Sequence, residues 1–256
     1  MKKFDIHKWR PELGAGGYAN DDSNMAFYLR IHAILPKNAV ILDLGAGRGP
    51  NLEMASKSQF RWKFMNLYEH CQHLIAADID PIVTENMFAH ETIVLKPNAP
   101  YPFKDNQFDI IISDWVLEHI DDISSFSSEL YRILKPGGWF CARTPNKFGL
   151  IGLGVNFLGA FEHIILPWLQ PERQTIDVFP KHHKLNTLSA LSTAFKKDHW
   201  HNCTYRVSTQ PAYHANKNWL FWATEKWQKF SPECMKTIIL VFMQKKPSDN
   251  QQKIKN

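Results

Sequence analysis

The sequence is poor in what would mark a secreted, metal-knuckled or nucleic-acid-coating chain. Its four cysteines, Cys71, Cys141, Cys203 and Cys234, lie far apart with no Cys-x-x-Cys. That spacing encodes neither a disulfide framework nor a zinc ribbon, and all four read as buried small hydrophobes in a reducing compartment. Met1 to Gly17 opens with two lysines but has no apolar run to serve as a signal-peptide core, so a cytoplasmic location is expected. The formal net charge is +5, yet the basic residues are scattered, with pairs only at Lys2-Lys3, Lys196-Lys197 and from Lys245. A nucleic-acid face needs a basic stripe with interleaved aromatics, so a nucleic-acid partner is not expected. His199, His201 and Cys203 alternate onto one strand face, but no fourth ligand stands at a suitable spacing and no metal is expected.

What the chain does have is 44% hydrophobic and 21% charged residues over 256 positions, enough to bury the core of one domain, 1–256. Its centre is Val40-Ile41-Leu42-Asp43-Leu44-Gly45-Ala46-Gly47-Arg48-Gly49-Pro50. Val40 to Leu44 has the short apolar run of a parallel strand buried on both faces. Gly45 and Gly47 let the backbone turn and approach a ligand closely, and Pro50 suits the first turn of a helix from about Asn51. A dinucleotide fold would place a third glycine where Pro50 stands. Asp43 would also repel a diphosphate while attracting a cationic amino group.

Further strands are predicted at Leu74–Asp80, Glu91–Leu95, Phe108–Ser113, Trp139–Ala142, His199–Ser208 and Thr237–Met243. Helices are predicted at Asp21 to Leu35, Phe60 to Cys71, Ser124 to Leu134, Thr187 to Lys197 and Tyr213 to Phe230. The alternation argues a doubly wound, mostly parallel α/β sheet. Asp78 stands at the tip of the second strand, where a carboxylate can accept from both hydroxyls of a ribose, and Asp80 is placed to cap a helix opened by Pro81. The tryptophans of the last helix, Trp219, Trp222 and Trp227, read as core.

The glycine turn with Asp43 resembles the first motif of the class I S-adenosylmethionine-dependent methyltransferases, in particular the ubiquinone/menaquinone-pathway type. The likeness is carried on by Asn98-Ala99 near Pro102-Phe103, by Leu117-Glu118-His119, and by Arg132 to Gly138 with its Leu-Lys-Pro-Gly-Gly ending. It implies a seven-stranded Rossmann-like sheet with an antiparallel last strand. It also implies a soluble methyltransferase that uses S-adenosyl-L-methionine. On that likeness Asp43, Gly45 and Gly47 surround the methionine part, Asp78 the ribose and Asn98 the adenine, with Ala46 and Ile79 also at the cofactor. Ser113, Asp114 and Trp115 follow the fourth strand, where cofactor and acceptor meet, and His119 is the candidate base.

Trp115 stands where some quinone-pathway relatives carry an extra acid for a metal, so metal dependence is not expected. The domain divides into a cofactor-binding core at 21–146, an acceptor-side insertion or lid at 147–185, and C-terminal helices and last strands at 186–246. The apolar stretch 148–169 is read as a lid over a small or lipid-linked acceptor, or as a segment in peripheral contact with a membrane. An NAD-dependent oxidoreductase, a nucleic-acid methyltransferase and a catalytically silent methyltransferase-like protein stay open as rivals.

Overall fold

The computed structural model describes residues 4–49, 58–150, 181–211 and 214–247. The helix expected from Pro50 and Asn51, and all of the stretch 148–169 beyond Leu150, fall outside them. Five parallel strands form the centre: β1 (Val40–Leu44), β2 (His73–Asp78), β3 (Glu91–Val94), β4 (Phe108–Asp114) and β5 (Leu134–Pro145). Three more follow, β6 (Trp200–Asn202), β7 (Tyr205–Val207) and β8 (Ile238–Lys245). The sheet order is β3-β2-β1-β4-β5-β8-β6, with β7 also on β8. β8 runs antiparallel to β5, from Trp139 opposite Gln244 to Pro145 opposite Ile238.

The single sixth strand expected at His199–Ser208 is two short ones. Asn202 turns its side chain onto the Thr204 amide at 2.9 Å, an Asx turn that breaks the ladder. Both pieces keep one register on β8, so the sheet has seven strand positions. β5 is longer than expected because Lys135-Pro136-Gly137-Gly138 is part of it. Gly137 has φ +80°, and a Cβ on Gly138 would come within 2.8 Å of the Asp109 carbonyl. Those glycines let β5 lie against β4, where the register shifts between Phe108 and Ile110.

Strand residues alternate between two cores, which is why a near-continuous apolar run was needed in each strand. Leu42, Ile75, Ile111 and Phe140 pack with Phe126, Leu130 and Ile133 of α4 (Ile123–Ile133), and with Leu191 of α5 (Leu188–Ala194). On the other face Ile41, Leu74, Ile110 and Phe242 pack with Phe27 and Ile31 of α2 (Ser23–Ile34). The caps foreseen in the sequence are made: Asp22 accepts from the Asn24 and Met25 amides, and Asp80 from the Ile82 amide. The Phe60 to Cys71 helix divides into α3 (Gln59–Met65) and a 3-10 turn at Leu67–His70, because Asn66 caps the second piece. A short N-terminal helix, α1 (Ile6–Trp9), lies against the last helix, α6 (Asn218–Phe230).

Two burial expectations are corrected. Cys141 is buried and Cys71 half-buried, but Cys203 and Cys234 are exposed. Trp219, Trp222 and Trp227 are exposed as well, while Phe221, Thr224 and Gln228 form the inward face of α6. Among the described residues no helix is long and apolar enough to cross a membrane.

Candidate functional site

A cavity of about 910 Å³ opens at the carboxyl ends of β1, β2 and β4, the edge where ligands bind in open α/β sheets. Gly45, Ala46, Gly47, Asp78, Ile79, Asn98, Trp115 and His119 line it. The sequence placed these residues at one site across 75 positions of chain, and the fold brings them together there.

The glycine turn is fixed from two sides. The Gly45 amide donates to the Ala77 carbonyl at 2.7 Å, and the Gly47 amide donates to Asp78 Oδ2 at 2.8 Å. Gly45, at φ +81°, leaves no room for a side chain, since a Cβ there would come within 2.2 Å of Val116 Cγ2. Gly47, at φ +50°, is different: a Cβ built there meets nothing within 4 Å. The first glycine therefore serves packing between two loops. The second leaves an open cradle.

Asp78 holds the turn with both oxygens, Oδ2 on Gly47 and Oδ1 on the Asp80 amide at 2.9 Å. Each oxygen retains lone-pair capacity for a hydroxyl donor. Ile79, half-exposed beside it, offers an apolar shelf. Asn98 sits at φ +57°, a left-handed conformation that asparagine tolerates better than most residues.

Asp43, Ser113 and Asp114, expected at the cofactor, do not line the cavity. Ser113 is fully buried in β4, with an Oγ that finds no partner among the described residues. Asp114 is gripped by the buried Arg143 from β5, whose Nε donates to Oδ1 at 2.7 Å and whose Nη2 donates to Oδ2. Asp43 is the last residue but one of β1, opposite Ala76 and Ile112. Burial pushes its carboxyl up to about 7, with further contributions from Asp114 and Asp78. Arg143, the cation beside Asp114, is engaged by that carboxylate through both Nε and Nη2.

Trp115 adopts φ +60° and projects into the cavity with its ring 5.6 Å from the Arg143 guanidinium. An aromatic residue pays for that conformation with strain, and here the Trp115 amide donating to the Arg143 carbonyl at 3.0 Å holds it. The 3-10 turn Leu117–His119 follows, putting His119 on the cavity wall and Glu118 inside the protein. Burial raises the Glu118 carboxyl, whose Oε2 accepts from Thr144 Oγ1 at 3.1 Å. Asn186 Nδ2 donates in turn to Thr144 Oγ1 at 2.7 Å, so Glu118, Thr144 and Asn186 brace the loop from behind.

Two supports were not foreseen. Arg132 was read only as the start of a turn signature, yet it clamps the loop below Asn98. Its guanidinium donates to the Tyr101 and Phe103 carbonyls at 2.9 and 2.7 Å, while Glu129 holds it and accepts from the Tyr101 amide. Arg143 lies within the fifth strand, where a charged residue alone gave no sign of its partner 29 positions earlier. Among the described residues no three His, Cys, Asp or Glu side chains gather as a metal set, His199, His201 and Cys203 included.

Residues 42–142 match the family described as "Methyltransferase domain". The demethylmenaquinone methyltransferase of Lactiplantibacillus plantarum is 32% identical over 105 residues, 40% of this chain and 44% of that one. The mitochondrial arginine-hydroxylase NDUFAF5 of Rattus norvegicus is 25% identical over 132 residues, 51% of this chain and 36% of that one. The chain spans less than half the length of these curated relatives. Among solved structures, an S-adenosylmethionine dependent methyltransferase from Mesorhizobium loti superposes with a TM-score of 0.51 at 14% identity. That match covers 86% of this chain and 97% of the other, and establishes the shared Rossmann-like fold.

Proposed function

We propose, from the match of residues 42–142 to a methyltransferase domain, that this protein transfers a methyl group from S-adenosyl-L-methionine to a hydroxyl of a small or lipid-linked acceptor. The observation that carries the reading is Asp43. A half-buried carboxyl two residues before the glycine turn, pushed up to about 7, is a site for an incoming cation. A dinucleotide would bring a diphosphate to the same turn, and Asp43 would repel it.

The residues present fit the cofactor. Asp43, one residue behind the cavity-lining Leu44, would hold its cationic amino group, the open cradle at Gly47 would admit its methionine part, and Asp78 would take its ribose hydroxyls. Ile79 and Asn98 would face its adenine. The cofactor supplies a methyl on a cationic sulfur, which is an activated leaving group from the start. What is asked of the chain is therefore mainly positioning, which can contribute most of the acceleration in a transfer of this kind. His119 stands on the cavity wall as the group to receive the acceptor's proton. Trp115, strained and partly exposed, shapes the space between the two reactants.

A relative named for arginine hydroxylation shows why turnover needs its own test, since a shared domain does not fix the chemistry. Incubating the protein with methyl-labelled S-adenosylmethionine and separated aqueous and lipid extracts of cells is that test. Label appearing in a small or lipid product, dependent on the protein, is expected. Label only in nucleic acid or protein, or in no fraction while cofactor binds, would overturn the acceptor class.

A further inference from the structure

The outward face of α6 is built unlike an ordinary solvated helix. Trp219, Trp222, Trp227 and Phe230 are 67%, 50%, 45% and 74% exposed. Ala223, Lys226 and Lys229 are exposed on the same arc, which contains no acidic residue. The acid of this helix, Glu225, turns instead toward Arg10, at 3.7 Å. The inward side is already satisfied. Phe221 packs on the rings of Phe4 and Trp9, and the Trp9 indole donates to Asn218 Oδ1 at 3.0 Å. The aromatic face is thus not needed to hold the helix in place.

We infer that this face of α6 docks the protein on an anionic lipid bilayer. Soluble monomers seldom expose contiguous apolar surface without a partner, and a third of the chain's nine tryptophans stand on this one arc. Indole rings settle at the headgroup level of a bilayer, where one edge is apolar and the other wet. Lys226 and Lys229 supply the complementary charge, their stems lying along the apolar surface while the ammonium groups reach lipid phosphates. Lys229 already lies over the Phe230 ring at 5.9 Å. A second copy of the chain fits less well, because pairing this face with itself would set the same lysines against one another. The helix leads into β8 at Ile238, beside Pro145, the end of the sheet that carries the cavity. Exposed Phe148 follows there, with Gly149 packed on Lys236 and Thr237. Membrane docking goes beyond the proposed methyl transfer and does not depend on it.

The test is cosedimentation of the full chain with vesicles of phosphatidylcholine alone and of phosphatidylcholine with an equal part of phosphatidylglycerol, at low and high salt. Binding is expected to the anionic vesicles and to weaken as salt rises. The triple change Trp219→Ser, Trp222→Ser and Trp227→Ser should lower partitioning at least about tenfold with an unchanged melting temperature. Lys226→Gln with Lys229→Gln should lower it about fivefold per lysine, and decides the matter if the triple variant does not fold. Three results would overturn the inference. The wild-type chain could stay in solution with both vesicles, or a folded tryptophan variant could bind as tightly as wild type. Alternatively, light scattering could find a lipid-indifferent dimer that the tryptophan changes dissociate. Calorimetry of cofactor binding on the same variants keeps the membrane result separate from the catalytic reading.

Discussion

Arg143 reaches across from β5 and takes both oxygens of Asp114 at the end of β4, while Asp43, in the field of Asp114 and Asp78, keeps a raised carboxyl. Removing the arginine would leave Asp114 charged beside two further carboxylates. Breaking a buried pair from one side typically costs about 3 to 5 kcal/mol, so Arg143→Met should lower unfolding stability by that order. Urea denaturation measures it. A loss well below about 1 kcal/mol would mean that water solvates Asp114 adequately.

The raised Asp43 carboxyl makes a pH prediction whose sign follows from proton counting. Its folded value of about 7 lies above its ordinary value of 3.8, so the folded protein binds the extra proton between those values. The stability that this proton contributes is complete below about pH 4 and lost as pH rises through about 7. Against the usual trend for carboxylates, the Asp43→Asn variant should gain stability relative to wild type at pH 8 and show little gain at pH 4. Thermal melts of the two proteins across that range give the answer, and parallel curves would contradict it.

Gly45 and Gly47 should separate packing from binding. Gly45→Ala drives a methyl into Val116 and imposes φ +81° on a side chain, so a stability loss of about 1 to 3 kcal/mol is expected. Gly47→Ala meets no protein atom within 4 Å, although φ +50° adds some strain. It should cost less stability than Gly45→Ala and more cofactor affinity. Melting temperatures set beside cofactor titrations for the two variants would reveal the reverse order if the cradle is not where the ligand lies.

With an acceptor in hand, His119→Ala should reduce turnover by about 10²- to 10⁴-fold while cofactor affinity changes little. Steady-state kinetics with a parallel binding measurement distinguishes this from a bracing role. Full turnover in the variant would leave His119 as a wall residue only.

The parts of this site that could be read from sequence are those whose backbone constrains residue type. Gly45 and Gly47 need positive φ, Asp78 caps the turn that follows its own strand, and Asn98 occupies a left-handed position. Such demands are local and leave their mark in a few consecutive residues. Arg143 and Arg132 were opaque for the opposite reason, since each acts on groups about 30 positions away and no short motif records a partner at that distance. Ser113 and Asp114 were drawn toward the cofactor by their place after the fourth strand. There β4 buries the first, and Arg143 occupies the second. In α6 the aromatic residues suggested the buried face, yet Thr224 and Gln228 are inside. A helix carrying apolar groups on both sides gives periodicity no means of choosing between them.

Calorimetric titration of S-adenosylmethionine into wild type and Asp43→Asn at pH 6 and pH 8 tests most directly whether Asp43 is the carboxylate that takes the cofactor's cation. With a carboxyl titrating at about 7, wild-type affinity should be about tenfold higher at pH 8 than at pH 6, because only the ionised form pairs with the amino group. In the folded variant affinity at pH 8 should fall by roughly 10- to 150-fold, the worth of a hydrogen bond to a charged group, and its pH dependence should disappear. Equal affinity of the two proteins at pH 8, or a wild type that fails to bind the cofactor at either pH, would contradict that assignment.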